Sequence, residues 1–367
     1  MQKKKILHFI TGLEVGGAEM MLLKTLPKMQ NDFDNRVCCI IGHGPMGKKL
    51  EEAGVPVFYL DLKNIFNLGF ISRFRKIIKD FQPDILITYL IHADLLGRVF
   101  GRVFGIKKII CSVRVKLVQA KYLPLLFLDA VTSPLVTHYH FNSQTVADMY
   151  QKFFFLPQRK ITVIPNGLKF EEYALNIDKK SKKKTLEIPL EKIIIGCVGR
   201  LEKQKGHKYL LQAFSQALKK QPKLFLIIIG TGSDKEKLEE LTNNLSIQDN
   251  VKFLGRRTDV AEILQVIDIF VLPSLFEGMS NSLMEAMASG LPIIATNIAE
   301  NGELIENGKT GILVPPKDSN ALAKALVGLT SNIEKQKLLR ENAKQFARVK
   351  FDLEIIAEKL KDFLVTV

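Results

Sequence analysis

Short apolar runs and amphipathic stretches alternate along this chain. In its first half the apolar runs fall at 5–10, 37–41, 57–60, 84–88, 109–112, 138–141 and 162–164. Runs this short, without polar alternation, read as strands buried on both faces of a parallel sheet. Between them apolar positions recur at helical spacing, as at 18–29, 73–81 and 145–154. Strand and helix in regular alternation predict a doubly wound α/β sheet. The pattern lapses after Pro165-Asn166-Gly167. Residues 176–187 there carry Lys179, Lys180, Lys182, Lys183 and Lys184 among polar neighbours, which predicts a solvated linker or surface loop. A second series of apolar runs follows at 192–198, 223–229, 251–254, 269–272, 292–296 and 311–314. The expected fold is therefore α/β, with two Rossmann-like domains in tandem. The first spans 1–168, the linker 169–190 and the second 191–349. The tail is helical from about residue 332, with a break at 349–351, and its last stretch, 350–367, is expected to rejoin the first domain.

Composition narrows the class. At 367 residues the chain is long enough for two cores, and 25% charged with 47% apolar residues is ordinary for a globular protein. No uncharged apolar run reaches the ~18 residues of a membrane span. Met1-Gln2-Lys3-Lys4-Lys5 looks like the start of a signal peptide, but the apolar run after it covers only 6–10 and no small-residue cleavage site follows. A cytoplasmic protein is expected. Cys38, Cys39, Cys111 and Cys197 lie in apolar runs without metal-ligand spacing, so they read as buried, reduced thiols. The net charge of +15 is uneven: residues 1–170 hold 24 Lys and Arg against 12 Asp and Glu, whereas 171–367 hold 29 against 26. A basic first half implies an acidic partner. Nucleic acid is set aside, because the chain has no Trp and no recognisable module with aromatics among its cations.

The candidate chemistry gathers where strands end. After the run at 267–272 comes Glu277-Gly278-Met279-Ser280-Asn281-Ser282-Leu283-Met284-Glu285, ending at Gly290-Leu291-Pro292. Ser280 or Asn281 can cap a helix there. Glu277 then lies in the loop at the carboxyl end of a strand, and Glu285 about two turns into the helix. Ligands of open α/β sheets bind at that edge. A helix N-terminus suits phosphate, and carboxylates suit sugar hydroxyls. Gly199-Arg200-Leu201 and Lys205-Gly206 follow the first strand of the second domain and place two cations at the same edge. Gly230-Thr231-Gly232 follows the next strand. Its alternatives are an ordinary strand-to-helix turn or a ligand lip. In the first domain, Gly12 to Glu19 forms a glycine-rich turn at Gly16 and Gly17. The end of strand two, Ile40-Ile41-Gly42-His43, lacks the acidic residue a dinucleotide site wants. Gly42 to Lys49 nearly matches a phosphate-binding P-loop, but Lys49 and Pro45 break it, so it reads as a surface turn. Asp32-Phe33-Asp34 reads as a turn, not a metal-binding pair. His92 lies just past a strand end, facing a cleft or merely structural. His138 and His140 read as packing or surface residues.

Taken together these motifs resemble family 4 of the retaining glycosyltransferases, of the GT-B fold and the bacterial polysaccharide and glycolipid type. The resemblance covers nearly the whole chain. It rests on Glu277 and Glu285 with the tail to Pro292, and on Gly16-Gly17-Ala18-Glu19, Pro165-Asn166-Gly167, Gly199-Arg200-Leu201 with Lys205-Gly206, Gly230-x-Gly232 and Phe253-Leu254-Gly255. It implies a metal-independent hexosyltransferase that retains anomeric configuration, without a cofactor, and a donor cleft between the domains. It implies that Arg200 and Lys205 bind the nucleotide diphosphate. The backbone of Met279, Ser280 and Asn281 would hold phosphates, Glu277 the donor sugar and Glu285 the ribose. Gly230, Gly232 and Arg256 would line the base pocket, and Gly16 and Gly17 would approach the donor as the cleft closes. One departure stands out: many relatives carry a His where this chain reads Cys111-Ser112-Val113-Arg114. Arg114 or His92 would then meet the sugar, its phosphate or the acceptor.

The donor expected is a nucleotide sugar, UDP-linked in preference to GDP-linked, and the acceptor a lipid-linked or cell-surface glycan. Arg98, Arg102, Lys107, Lys108, Lys116 and Lys121 lie near the apolar run from Tyr122 to Leu128, and Phe153-Phe154-Phe155-Leu156 adds another. Basic plus apolar surface would suit the anionic inner face of the plasma membrane. The other reading of these runs is core helix. Two alternatives to transfer stay open: a sugar-nucleotide epimerase on the same fold, and a non-catalytic sugar-nucleotide-binding module.

Overall fold

In the computed structural model, residues 3–62, 69–114 and 123–367 are described. The chain divides into two compact units, residues 1–167 with 353–367 and residues 168–352.

The first unit runs β1 (Lys4–Gly12), α1 (Gly17–Met29), β2 (Phe33–Ile41), α2 (Pro45–Glu52), β3 (Val57–Tyr59), α3 (Gly69–Phe81), β4 (Ile85–Tyr89), α4 (Ile91–Val103), β5 (Lys108–Val113), α5 (Leu123–Thr132), β6 (His138–Phe141), α6 (Gln144–Phe154) and β7 (Ile161–Val163). Its strands form one parallel sheet in the order β3-β2-β1-β4-β5-β6-β7. Most strand positions are apolar because both faces are covered. Ile6, Ile10, Leu22 and Leu26 pack on one side, and Leu7, Phe9, Phe74 and Ile109 on the other. The order reverses beside β1, which opens a crevice at the carboxyl ends of β1 and β4.

The second unit holds α7 (Lys179–Thr185), β8 (Ile193–Val198), α8 (His207–Lys220), β9 (Leu224–Ile229), α9 (Lys235–Asn244), β10 (Val251–Gly255), α10 (Val260–Val266), β11 (Ile269–Leu272), α11 (Asn281–Ala288), β12 (Ile293–Thr296), α12 (Ala299–Gly302), β13 (Ile312–Val314), α13 (Ser319–Thr330) and α14 (Ile333–Phe351). Its parallel sheet has the order β10-β9-β8-β11-β12-β13 and reverses between β8 and β11. The last helix, α15 (Leu353–Thr366), packs Ile356, Phe363 and Leu364 into the core of the first unit. The break in the tail falls at Asp352, just beyond the expected 349–351.

Four expectations change. Residues 169–190 belong to the second unit and are not a separate linker. Phe170, Tyr173, Leu186 and Ile188 are buried in the second unit's core, and α7 forms with Asp178 as N-cap, its carboxylate accepting from Lys180 and Ser181 N–H. Lysine is a good helix former; Lys182 is held by Asp259 and Glu262, while Lys179, Lys180 and Lys184 stay exposed on the helix, so the charged stretch is solvated yet ordered. The stretch from Gly42 to Lys49 is a turn only as far as Gly44. Pro45 then opens α2 at its first turn, where its missing N–H costs nothing, and Gly47 is buried. Asp32 is in a turn, as expected, but Phe33 opens β2 and Asp34 lies inside it, paired with Arg36. Arg98 is not part of a basic surface: it is fully buried, with its guanidinium on Asp129.

Candidate functional site

The carboxyl edge of the second sheet brings the cationic and acidic candidates together. β11 ends at Leu272, and the loop that follows carries Glu277 back over the sheet edge. Lys205 ends the short turn after β8. Its Nζ lies 2.6 Å from Glu277 Oε1; Glu277 is buried and Lys205 partly so. The Ser274 hydroxyl donates to the same oxygen at 2.6 Å. The loops are also stitched by backbone: Leu275 N–H donates to the Gln204 carbonyl at 2.8 Å, and Gln204 Nε2 to the Phe276 carbonyl at 3.0 Å. Gly206 makes this approach possible. Its φ is +66°, and a Cβ there would stand 2.1 Å from the Pro273 carbonyl oxygen. Gly199 leaves room for the Lys205 stem, whose Cδ and Cε would lie 3.4 Å from a Cβ at that position.

Arg200 is exposed and ion-paired with Glu202 at 2.9 Å. Gly230 and Gly232 follow β9 and meet the Arg200 loop directly. A Cβ at Gly230 would stand 2.0 Å from the Gly199 carbonyl oxygen, and one at Gly232 would stand 2.4 Å from that of Leu201. Loop-to-loop packing thus accounts for both glycines without a ligand. Arg256, just past β10, is exposed. Of the two capping candidates, Ser280 is the cap: its hydroxyl accepts from Leu283 N–H at the start of α11. Met279 and Asn281 flank it, both partly buried. Glu285 is the fifth residue of α11, little more than one turn in rather than two. Tyr173 hydrogen-bonds to Glu285, and burial followed by that carboxylate drives the phenol pKa up.

The first unit carries the other candidates at the carboxyl edge of its own sheet. Gly16 is the N-cap of α1 in extended backbone, and Gly17 is its exposed first residue. His92 is an exposed residue in the first turn of α4. Arg114 is engaged by its neighbours: Nε donates to Ser112 Oγ at 3.1 Å and Nη1 to Asn166 Oδ1 at 2.7 Å, with the guanidinium over the Tyr89 ring. Asn166 belongs to the Pro165-Asn166-Gly167 motif, so that motif meets Arg114. His140 is buried between Ser112 Oγ and the Ile164 carbonyl, and burial with the nearby Arg114 pushes its pKa down to about 3. His138 shares a hydrogen bond with Thr162 at 2.9 Å.

Sequence reasoning missed Ser274, Tyr173, Gln204 and His207. Ser274 stands three residues before Glu277, a spacing that could have flagged it. Tyr173 lies far from Glu285 in sequence and left no such signal. His207, first in α8, is buried beside Lys205, and its pKa falls to about 4 through burial and then that ammonium. All four cysteines are buried free thiols. Burial pushes Cys197 up to about 12, against the pull of Lys205. Among the described residues no group of three or more His, Cys, Asp or Glu could hold a metal ion.

Two Rossmann-like units in tandem, each built on a parallel sheet, are the architecture of the GT-B class. The chain belongs to glycosyltransferase family 4: residues 15–172 match the model for "Glycosyltransferase Family 4" and residues 178–346 that for "Glycosyl transferases group 1". It is 28% identical to the UDP-Gal:alpha-D-GlcNAc-diphosphoundecaprenol alpha-1,3-galactosyltransferase of Escherichia coli, over 99% of this chain and 97% of that protein. Its identity to the capsular polysaccharide biosynthesis glycosyltransferase CapM of Staphylococcus aureus is 24%, over 100% and 98%. The fold is like that of Anabaena HepE, solved in complex with UDP and glucose, with TM-score 0.90 at 21% identity over 99% of this chain and 100% of that one. The epimerase reading finds no support in these relatives.

Proposed function

We propose that this protein moves a hexosyl unit from a UDP-sugar to a lipid-linked or polysaccharide acceptor with retention of configuration. The observation that carries the reading is the Lys205–Glu277 pair at the carboxyl edge, next to the start of α11. A cation and a helix N-terminus suit a diphosphate, and the carboxylate between them suits sugar hydroxyls. The relatives named above, with their UDP-linked donor or UDP complex and their diphospholipid or capsular products, support the substrate classes.

In the reaction the bond from the anomeric carbon to the diphosphate breaks, and the acceptor oxygen takes its place on the same face. The acceptor proton passes to the departing phosphate oxygen. Charge grows on that diphosphate, and Arg200, Lys205 and the dipole of α11 stabilise it without a bound metal. Glu277 orients the sugar, and Glu285, held by Tyr173, takes the ribose diol. Arg256 and the Gly230–Gly232 turn border the base. Glu277→Ala and Lys205→Ala should each lower acceptor-dependent UDP release at least about 100-fold. Turnover unchanged in both would remove the site assignment.

The acceptor side is read from the first unit's surface. α4 and α5 expose Val103, Phe127, Leu128 and Val131, with Phe127 69% exposed, so this run is not core. Arg75, Lys79 and Lys107 ring a depression beside Val103. Lys107 and Lys108 remain cationic surface, whereas Arg102 is taken up by the Leu135 and Lys107 carbonyls. Lys116, Lys121 and Tyr122 lie outside the described residues. Basic and apolar groups side by side suit peripheral docking on an anionic cytoplasmic membrane face. No helix among the described residues is long and apolar enough to cross a membrane. The protein should float with vesicles rich in anionic lipid at low salt and leave them at high salt. Failure to float at low salt would end this reading of the surface.

A further inference from the structure

A buried hydrogen-bonded chain runs from the end of β12 to the carboxylate of Glu277. Asn301 Nδ2 donates to the Thr296 carbonyl at 2.9 Å. The Thr296 hydroxyl donates to the Ser274 carbonyl, and the Ser274 hydroxyl to Glu277 Oε1 at 2.6 Å. Ser274 and Asn301 are fully enclosed, and Thr296 and Glu277 nearly so. Lys205 meets the same Oε1 at 2.6 Å. Both donors therefore fall on one oxygen, and no described residue bonds Oε2. A carboxylate has acceptor capacity on both oxygens. Here the protein holds one and leaves the other for a hydroxyl donor.

The two donors are not equivalent. An ammonium at the mouth of a diphosphate site is drawn toward phosphate when the donor arrives, which weakens its hold on Glu277. Ser274 has no exposure, and its hydroxyl is fixed on Glu277 while Thr296 fixes its backbone. We propose that Ser274 is a positioning residue for the donor sugar. It keeps Glu277 Oε1 in place while Lys205 engages the diphosphate, so that Oε2 accepts from a hydroxyl of the transferred hexose. This rests on the glycosyl-donor reading above and deepens it. Ser274 acts on the sugar through Glu277 and not on the nucleotide.

The test compares binding of UDP with binding of UDP-glucose and UDP-galactose by calorimetry, in the unaltered chain and in Ser274→Ala. The expected result is UDP affinity within about twofold of the unaltered chain, with the extra affinity contributed by the hexose reduced about tenfold or more. Thr296→Val should shift the same ratio in the same direction by less, and Thr296→Ser, which keeps the hydroxyl, should restore it. If Ser274→Ala does not fold, the Thr296 pair decides the matter by the same ratio. Equal loss for UDP and UDP-hexose, or no loss for either, overturns the proposal alone. If the unaltered chain binds none of the three compounds, the function reading falls and this proposal with it.

Discussion

Among the described residues Arg98 is the largest fully buried side chain, and its surroundings explain why an arginine can be there. Nη1 donates to Asp129 Oδ1, to the Asp129 carbonyl and to Thr132 Oγ1, and Nε to Cys111 Sγ. Tyr150 donates to the other Asp129 oxygen at 3.2 Å. Asp94, four residues before Arg98 in α4, takes a hydrogen bond from Thr88 at 2.6 Å. Its pKa is raised to about 6 by burial, against the pull of Arg98. Removing the cation would leave two enclosed carboxyl groups without their counter-charge. Arg98→Ala should therefore destabilise the first unit by about 3–5 kcal/mol, read as a lowered urea midpoint. Composition pointed the other way, since arginine is mostly a surface residue. The Asp94–Arg98 spacing, four apart on one helix face, was the one local hint.

At the scale of elements, loops rather than strands decide the site. The parallel strands were legible because unbroken apolar runs such as 224–229 are too short for a typical buried helix and rich in β-branched Ile. α2 and α7 were not, because proline, glycine and lysine were weighed as signs of irregular chain. Pro45 sits at a helix start, and Asp178 caps the lysine-rich helix. Exposure of α5 could not be read either: an apolar helix looks the same in sequence whether covered or bare. The Lys205 loop depends on Gly206 in left-handed backbone against the Pro273 carbonyl. Gly206→Ala adds strain of about 1–3 kcal/mol and a clash that forces the two loops apart. It should lower the melting temperature and weaken UDP binding about tenfold. Unchanged UDP affinity would show that the loop's position does not matter to the ligand.

Across the whole molecule, three enclosed imidazoles set the response to acid. Burial holds His8 near pH 4, His140 near 3 and His207 near 4, all below the ordinary 6.5. His8 is hydrogen-bonded to Tyr89 and Asn35 besides. The folded chain then binds fewer protons than the unfolded chain between pH 6.5 and about 4. The stability these groups contribute is full above 6.5 and lost as the pH falls toward 4, at about 1.4 kcal/mol per pH unit for each. Asp94 works oppositely, losing stability as pH rises from about 4 to 6, and offsets one of the three. The melting temperature should be flat above pH 7 and fall between 6.5 and 4.5. A rise in that window would contradict the burial of these rings as neutral groups.

The sequence by itself determined the α/β class, the tandem sheets and the motif run from Glu277 to Pro292, because local patterning and spacing carry those directly. It also placed Arg200, Lys205 and Glu277 at strand ends, since strand ends are where loops begin. Tertiary structure alone decided that Lys205 and Glu277 meet, and that Arg200 pairs with Glu202 instead. It alone brought Tyr173 to Glu285 and ran Asn301, Thr296 and Ser274 into one chain. It also turned Arg98 inward. The reason is common to all of these. Each depends on which loops the crossover connections set side by side, and on which side chains the core encloses. No local spacing encodes either.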